Sequence, residues 1–214
     1  MALANMGLDH IGQARSLYSH AAAIEGAGHD EDAFAFLRDE RAYRNVLLVE
    51  QPNGDFACTI LRQFLYAAFA EPYWRAMMGS RDAILAAIAA KAEKEMAYHV
   101  RHSAEWVIRL GDGTAESRAR IVAAIEALWP YTGELFEADE ADQAVIEEGI
   151  GLDPLTLQHA WRDVVARVFA QATLPMPADG HMRKGGRRGH HSEHLGHMLA
   201  QMQYLQRAMP GASW

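Results

Sequence analysis

One cysteine, Cys58, in 214 residues leaves no partner for an internal disulfide and no set of thiolates for a structural zinc site. Together with the lack of a secretory leader, it points to the reducing cytoplasm. No apolar run reaches the ~20 residues that span a bilayer, so no membrane role is expected. Positive charge is also in short supply. Lys and Arg number 20 against 28 Asp and Glu, a formal net charge of −8. Free nucleic acid and anionic membranes are therefore not expected as main partners, although a local basic patch could still bind an anion. No Gly-rich phosphate loop follows a strand pattern, no nucleophile elbow occurs, and Cys58 has no His or Asp at a motif-like spacing. It reads as an ordinary small helix residue.

What is present is hydrophobic material, half of the chain, enough for a single globular domain over residues 1–214. The organising stretch is Arg81 to Gly111, which has no internal Gly or Pro and repeats at helical spacing. On a helical wheel Leu85, Ile88, Ala92, Met96, His99, Ser103, Trp106 and Leu110 share one stripe, with Lys94, Arg101 and Glu105 opposite. His99 lies mid-stripe and Glu95 at its edge. A buried ionisable group costs several kcal/mol unless it is paired, so the two are expected to enter the core together.

The chain begins as a helix through about Glu25, with no capping residue ahead of Ala2, which suggests an element that starts further upstream. After a turn at Gly26 to Asp30, residues 31–51 read as a helix with Ala33, Phe36, Leu37, Tyr43 and Leu47 on its inner face. Glu40 falls at the centre of that face with Arg44 one turn on, so Glu40, Arg44, Glu95 and His99 are the candidates for a buried polar network. Gln51 to Gly54 is a turn, and a helix from Asp55 to about Met78 carries Pro72, which should kink or interrupt it. Thr114 or Ser117 caps the next helix, a shorter acidic helix spans 137–148, and Asp153-Pro154 opens another. In the last helix, 190–209, Leu195, Met198, Met202, Leu205 and Met209 form the expected core stripe. No strand is needed, and six to eight helices with short connections make an all-α bundle.

Residues 175–189 form the one long loop and hold Arg183, Lys184, Arg187 and Arg188 among glycines, a cluster that could grip a phosphate or a partner's carboxylates, with a solvated mobile loop the favoured reading from composition. His190, His194 and His197 lie along one helical side, where an exposed or interface face is the favoured reading over adventitious metal. A di-metal carboxylate centre in a bundle needs Glu-x-x-His on two helices. The chain has none: Glu95 to His99 and Glu193 to His197 are each one residue too long. A hydrogen-bonded network is preferred to a metal site, with no metal expected on this chain.

Several stretches together resemble one family: ALANMGLDHIGQAR, RDERAYRNVLLVEQPNGDFA, LAAIAAKAEKEMAYHVRHSAEWVIRLGDGT, LWPYTGELF, GGRRGHHSEHLGHMLAQMQYLQR and PGASW. They are similar to the C-type (PaaC-type) subunits of the bacterial multicomponent phenylacetyl-CoA epoxidases of phenylacetic acid degradation, over essentially the whole chain. Members usually carry one more helix before the ALAN segment. The resemblance implies a ferritin-like helical bundle with extra C-terminal helices and a non-catalytic place beside the related A-type subunit, which is catalytic and bears the di-iron centre, and beside further subunits. It implies that this chain holds no cofactor of its own. The complex inserts one oxygen atom of O₂ across the ring of phenylacetyl-CoA, with electrons from NADPH through a separate reductase carrying FAD and an iron–sulfur cluster. Two other readings stand beside it. The chain could be a metal-dependent oxygenase with Glu40, Glu95, His99 and His194 as degenerate ligands, or an acyl-CoA-binding module working through the 183–188 loop.

Overall fold

The computed structural model describes residues 1–178 and 180–212. Its centre is a pair of long helices, α2 (Phe56–Met77) and α3 (Ala83–Gly111), joined by a short turn and therefore antiparallel. Both begin where the sequence supplies a cap. Asp55 accepts the Cys58 N–H at 3.0 Å, and Asp82 accepts the N–H groups of Ile84 and Leu85. The 29 residues of α3 extend roughly 43 Å at 1.5 Å per residue; they bury Ala92, Met96, His99 and Ser103 of the expected stripe together with Ala89 and Val107 beside it, while Leu85, Ile88, Trp106 and Leu110 are half-buried. Pro72 does not end α2, which runs on to Met77.

Helix α1 (Ala2–Glu25) lies against α3, while α4 (Ala115–Leu128) and α6 (Gln158–Gln171) close the opposite end of the pair. There the main core gathers Leu48, Ile60, Leu61, Phe64, Ile121, Leu128, Trp161 and Phe169. Thr114 and Asp153 cap as expected, by accepting the N–H groups of Ser117 and Leu155, and a capping box at Asp139 starts the short α5 (Glu140–Glu147). The described residues contain no strand, and the molecule is an all-α, ferritin-like bundle.

Two expectations fail. Residues 31–51 are not one helix but three short pieces, a wide π-helical turn at Ala33–Leu37 and two tight 3-10 turns at Glu40–Ala42 and Leu47–Glu50, with Arg38, Tyr43 and Val46 extended between them. Distant side chains take the backbone groups that a helix would have paired internally. Glu134 accepts the Leu47 N–H, His191 Nε2 lies 3.0 Å from the Tyr43 carbonyl oxygen, and the Gln203 amide donates to the carbonyls of Ala35 and Arg38. The C-terminal stretch likewise divides into α7 (Glu193–Met202) and α8 (Tyr204–Ala208). Its inward residues are Leu195, Leu199 and Gln203, whereas Met198, Met202, Leu205 and Met209 are 49%, 39%, 48% and 53% exposed. Holding the Gln203 amide against the 35–43 segment rotates the methionine stripe out of the core.

Candidate functional site

The polar interior is assembled by three helices. One turn of α1 points Asp9, His10 and Gln13 inward, α2 contributes Gln63 and Tyr66, and α3 contributes Glu95 and His99. His99 is fully buried, and both ring nitrogens are engaged: Nε2 lies 2.9 Å from Asp9 Oδ2 and Nδ1 lies 3.1 Å from Gln63 Nε2. A Gln63 amide donating to Nδ1 leaves the ring hydrogen on Nε2, facing the Asp9 carboxylate. The His10 ring stands edge-on to His99 with centroids 5.0 Å apart. Burial, and next the neighbouring His99, push the His10 pKa below the ordinary imidazole value.

Glu95 enters the same interior but does not pair with His99. Its carboxylate accepts from Gln13 Nε2 at 2.8 Å and lies 3.5 Å from Lys91 Nζ, one turn back on α3. Glu95 has a helical neighbour four residues away on either side, Lys91 and His99; it meets Lys91 and Gln13 of α1, while both ring nitrogens of His99 are taken by Asp9 of α1 and Gln63 of α2. Glu40 and Arg44 lie elsewhere. With residues 31–51 turned rather than helical, Glu40 is exposed on the 40–42 turn against α7, and Arg44 Nη1 donates to the Arg41 carbonyl. The interior partners absent from the wheel reading are Asp9, Gln13 and Gln63. Asp9 and Gln13 sit four apart beside the buried Met6 on α1, which is the spacing that signals them.

Two further buried carboxylates lie outside the wheel reading, although each stands inside an apolar run. Glu134, in LWPYTGELF, is 1% exposed and accepts the N–H groups of Leu47 at 2.7 Å, Gly185 at 2.8 Å and Arg187 at 3.2 Å. Glu50, in LLVEQ, accepts from Asn45 Nδ2 at 2.8 Å and from the N–H and hydroxyl of Ser192, and meets His191 Nδ1 at 2.5 Å. The GGRRGHHS stretch is thus fastened to the body through its backbone. Its basic residues are largely turned to the same use. Lys184 pairs with Glu137 at 3.0 Å, Arg187 pairs with Asp142 and Asp139, and the Arg183 guanidinium stands 5.5 Å from the Tyr131 ring centroid. Arg188 is exposed.

Among the described residues no three His, Cys, Asp or Glu side chains converge as a metal-binding group requires. The donor chemistry points the same way. Where a carboxylate-bridged centre would want charged oxygens, the interior offers the amides of Gln13 and Gln63, and the Asp9 and Glu95 carboxylates are taken by His99 and by Gln13 and Lys91. The residues present do not fit a di-iron centre.

A ferritin-like bundle with a self-satisfied polar interior is the class of protein that fold and site define. Residues 1–214 match the phenylacetic acid catabolic protein family, to which this chain belongs. It is 53% identical over 214 residues to the C subunit of the 1,2-phenylacetyl-CoA epoxidase of Escherichia coli strain K12, an overlap of 100% of this chain and 86% of that protein. No helix among the described residues is long and apolar enough to cross a membrane.

Proposed function

We propose that this chain is the structural, non-catalytic member of a cytoplasmic, NADPH-dependent 1,2-phenylacetyl-CoA epoxidase, packed beside the di-iron, A-type catalytic subunit. The carrying observation is the interior of α1, α2 and α3. Of the side chains there with the chemistry to bind a metal, His99 is committed to Asp9 and Gln63 and Glu95 to Gln13 and Lys91, which leaves the single imidazole of His10, 3.4 Å from Gln63 Nε2, far short of a ligand set. A bundle stiffened in this way contributes order rather than chemistry: it holds the facing helices of the catalytic subunit in place and keeps water from that side of the active site. Iron resides on the catalytic subunit, and FAD and the iron–sulfur cluster on the separate reductase.

The test is metal analysis by mass spectrometry on the chain alone and on the chain co-expressed with the catalytic subunit, each after size exclusion. The expected result is a metal-free lone chain, with iron in the co-eluting complex. Stoichiometric iron in the folded lone chain overturns the reading. In the same system His99→Leu strands Asp9 and Gln63, which costs this chain about 2–3 kcal/mol of stability. The iron content per copy of the catalytic subunit stays unchanged, and a proportional loss of iron would make His99 a ligand.

A further inference from the structure

Glu40 has no task in the core, yet the fold makes specific room for it. A Cβ on Gly196 would stand 2.9 Å from Glu40 Oε2, a contact the flexible glutamate could relieve by turning away, so the glycine lets the carboxylate lie directly against α7. Its neighbour Asp39 is answered by Arg207, Nη2 to Oδ1 at 3.0 Å, whereas Glu40 has no ion-pair partner among the described residues. Between this turn and α7–α8 runs a groove of about 520 Å³ lined by Asp39, Glu40, Gly196, Ala200, Tyr204 and Arg207 among others. Gly196 and Ala200, one turn apart, keep its helical wall low, and Tyr204 beside them is 67% exposed. The exposed Met198 and Met202 extend apolar surface along the flank of the same helix.

We propose that this groove is the seat for a segment of the catalytic subunit that carries an Arg or Lys next to small or aliphatic residues. The proposal rests on the structural-subunit reading above. Charge complementarity selects the occupant. The Asp39–Arg207 pair is internally neutral, which leaves one carboxylate at the rim, and the low wall admits close approach of a second backbone. The stem of a basic side chain lies on the Ala200 and Tyr204 surface while its head meets Glu40, and the pliable thioethers beside it adapt to the partner's apolar contour. A single cation held against an apolar wall, partly shielded from water, is worth more than an exposed surface pair.

The experiment measures the dissociation constant of the purified chain for the co-produced, iron-loaded catalytic subunit, with wild type, Glu40→Lys, Glu40→Gln and Ala200→Leu. Glu40 is exposed and its carboxylate makes no hydrogen bond or ion pair among the described residues, so Glu40→Lys and Glu40→Gln keep the wild-type melting temperature. Glu40→Lys and Ala200→Leu each weaken binding about tenfold or more, and Glu40→Gln flattens the salt dependence of the wild-type affinity. A control at Leu155, exposed on the 154–157 turn, leaves affinity unchanged. Wild-type binding with both groove variants within about twofold overturns the groove while leaving the structural-subunit reading in place. A lone chain that runs as a dimer dissolved by the same variants gives the groove to a second copy and overturns the proposal. A wild-type chain that does not bind the catalytic subunit defeats the proposal and the reading beneath it together.

Discussion

Replacing Glu134 with alanine removes the carboxylate on which three backbone N–H groups converge, from Leu47, Gly185 and Arg187. Leu47 and Gly185 are buried and their bonds are short, at 2.7 and 2.8 Å; the Arg187 bond is longer, at 3.2 Å, and only partly buried, where water can reach. A buried donor left unsatisfied costs about 1–3 kcal/mol, so two such donors give about 2–6 kcal/mol. Relief of the carboxylate's own burial offsets part of this, and a net loss of about 3–4 kcal/mol is expected. That is a large share of the ~5–15 kcal/mol that holds a domain folded, and at about 2–4 °C per kcal/mol it lowers the melting temperature by about 10 °C. Glu134→Gln should lose roughly half as much. Its remaining oxygen can serve Gly185 and Arg187, but its NH₂ group faces the Leu47 N–H, donor against donor. Urea unfolding followed by circular dichroism measures both variants, with an unchanged m-value confirming that stability and not compactness is being read. Hydrogen exchange at the Leu47 and Gly185 amides should accelerate in parallel. A loss below about 1 kcal/mol for the alanine variant, or equal stability of glutamine and glutamate, would refute the clamp.

Gly186→Ala tests the same fastening from its other side. An added Cβ would lie 2.2 Å from the Asn45 carbonyl oxygen and 3.2 Å from the Leu47 backbone nitrogen, so backbone has to move, at a cost of about 2–3 kcal/mol by thermal unfolding. Wild-type stability in that variant would mean that the loop and the 45–47 segment are not held together. Asp55→Ala has a pH signature. The Cys58 N–H, and with it Arg120, holds the Asp55 carboxyl below its ordinary value, so its contribution is complete above the unfolded-state value near pH ~4 and is lost as pH falls through the folded value. The variant should be about 1 kcal/mol less stable at neutral pH, converging on wild type in more acidic solution. A deficit that persists unchanged into acid would assign the effect to something other than the charged cap.

Helical content, most boundaries and the caps were legible because they depend on residues a few positions apart. Asp55, Thr114 and Asp153 start their elements where their side chains reach the next free N–H, and the 3.6-residue rhythm of Ala92, Met96, His99 and Ser103 fixes the inner face of α3. Each of these is an interaction the chain makes with itself over one or two turns. The segment 31–51 carries the same rhythm yet does not form one helix, because its carbonyls and amides are claimed by Glu134, His191 and Gln203, which are 87 to 168 positions away in sequence. Gln203 similarly decides which face of the last helix turns inward, against the hydrophobic pattern of Met198, Met202 and Leu205.

The interior network divides along the same line. That His99 is buried could be read from its stripe; that it answers to Asp9 and Gln63 rather than to Glu95 could not, since pairing depends on how α1 and α2 are set against α3. The sequence by itself determined that this is an all-α chain with ionisable groups inside it, and its long motifs carried the family resemblance. Only the tertiary structure decided which of those groups meet. Periodicity specifies the face of an element, whereas a hydrogen bond needs two elements placed to within a few tenths of an ångström.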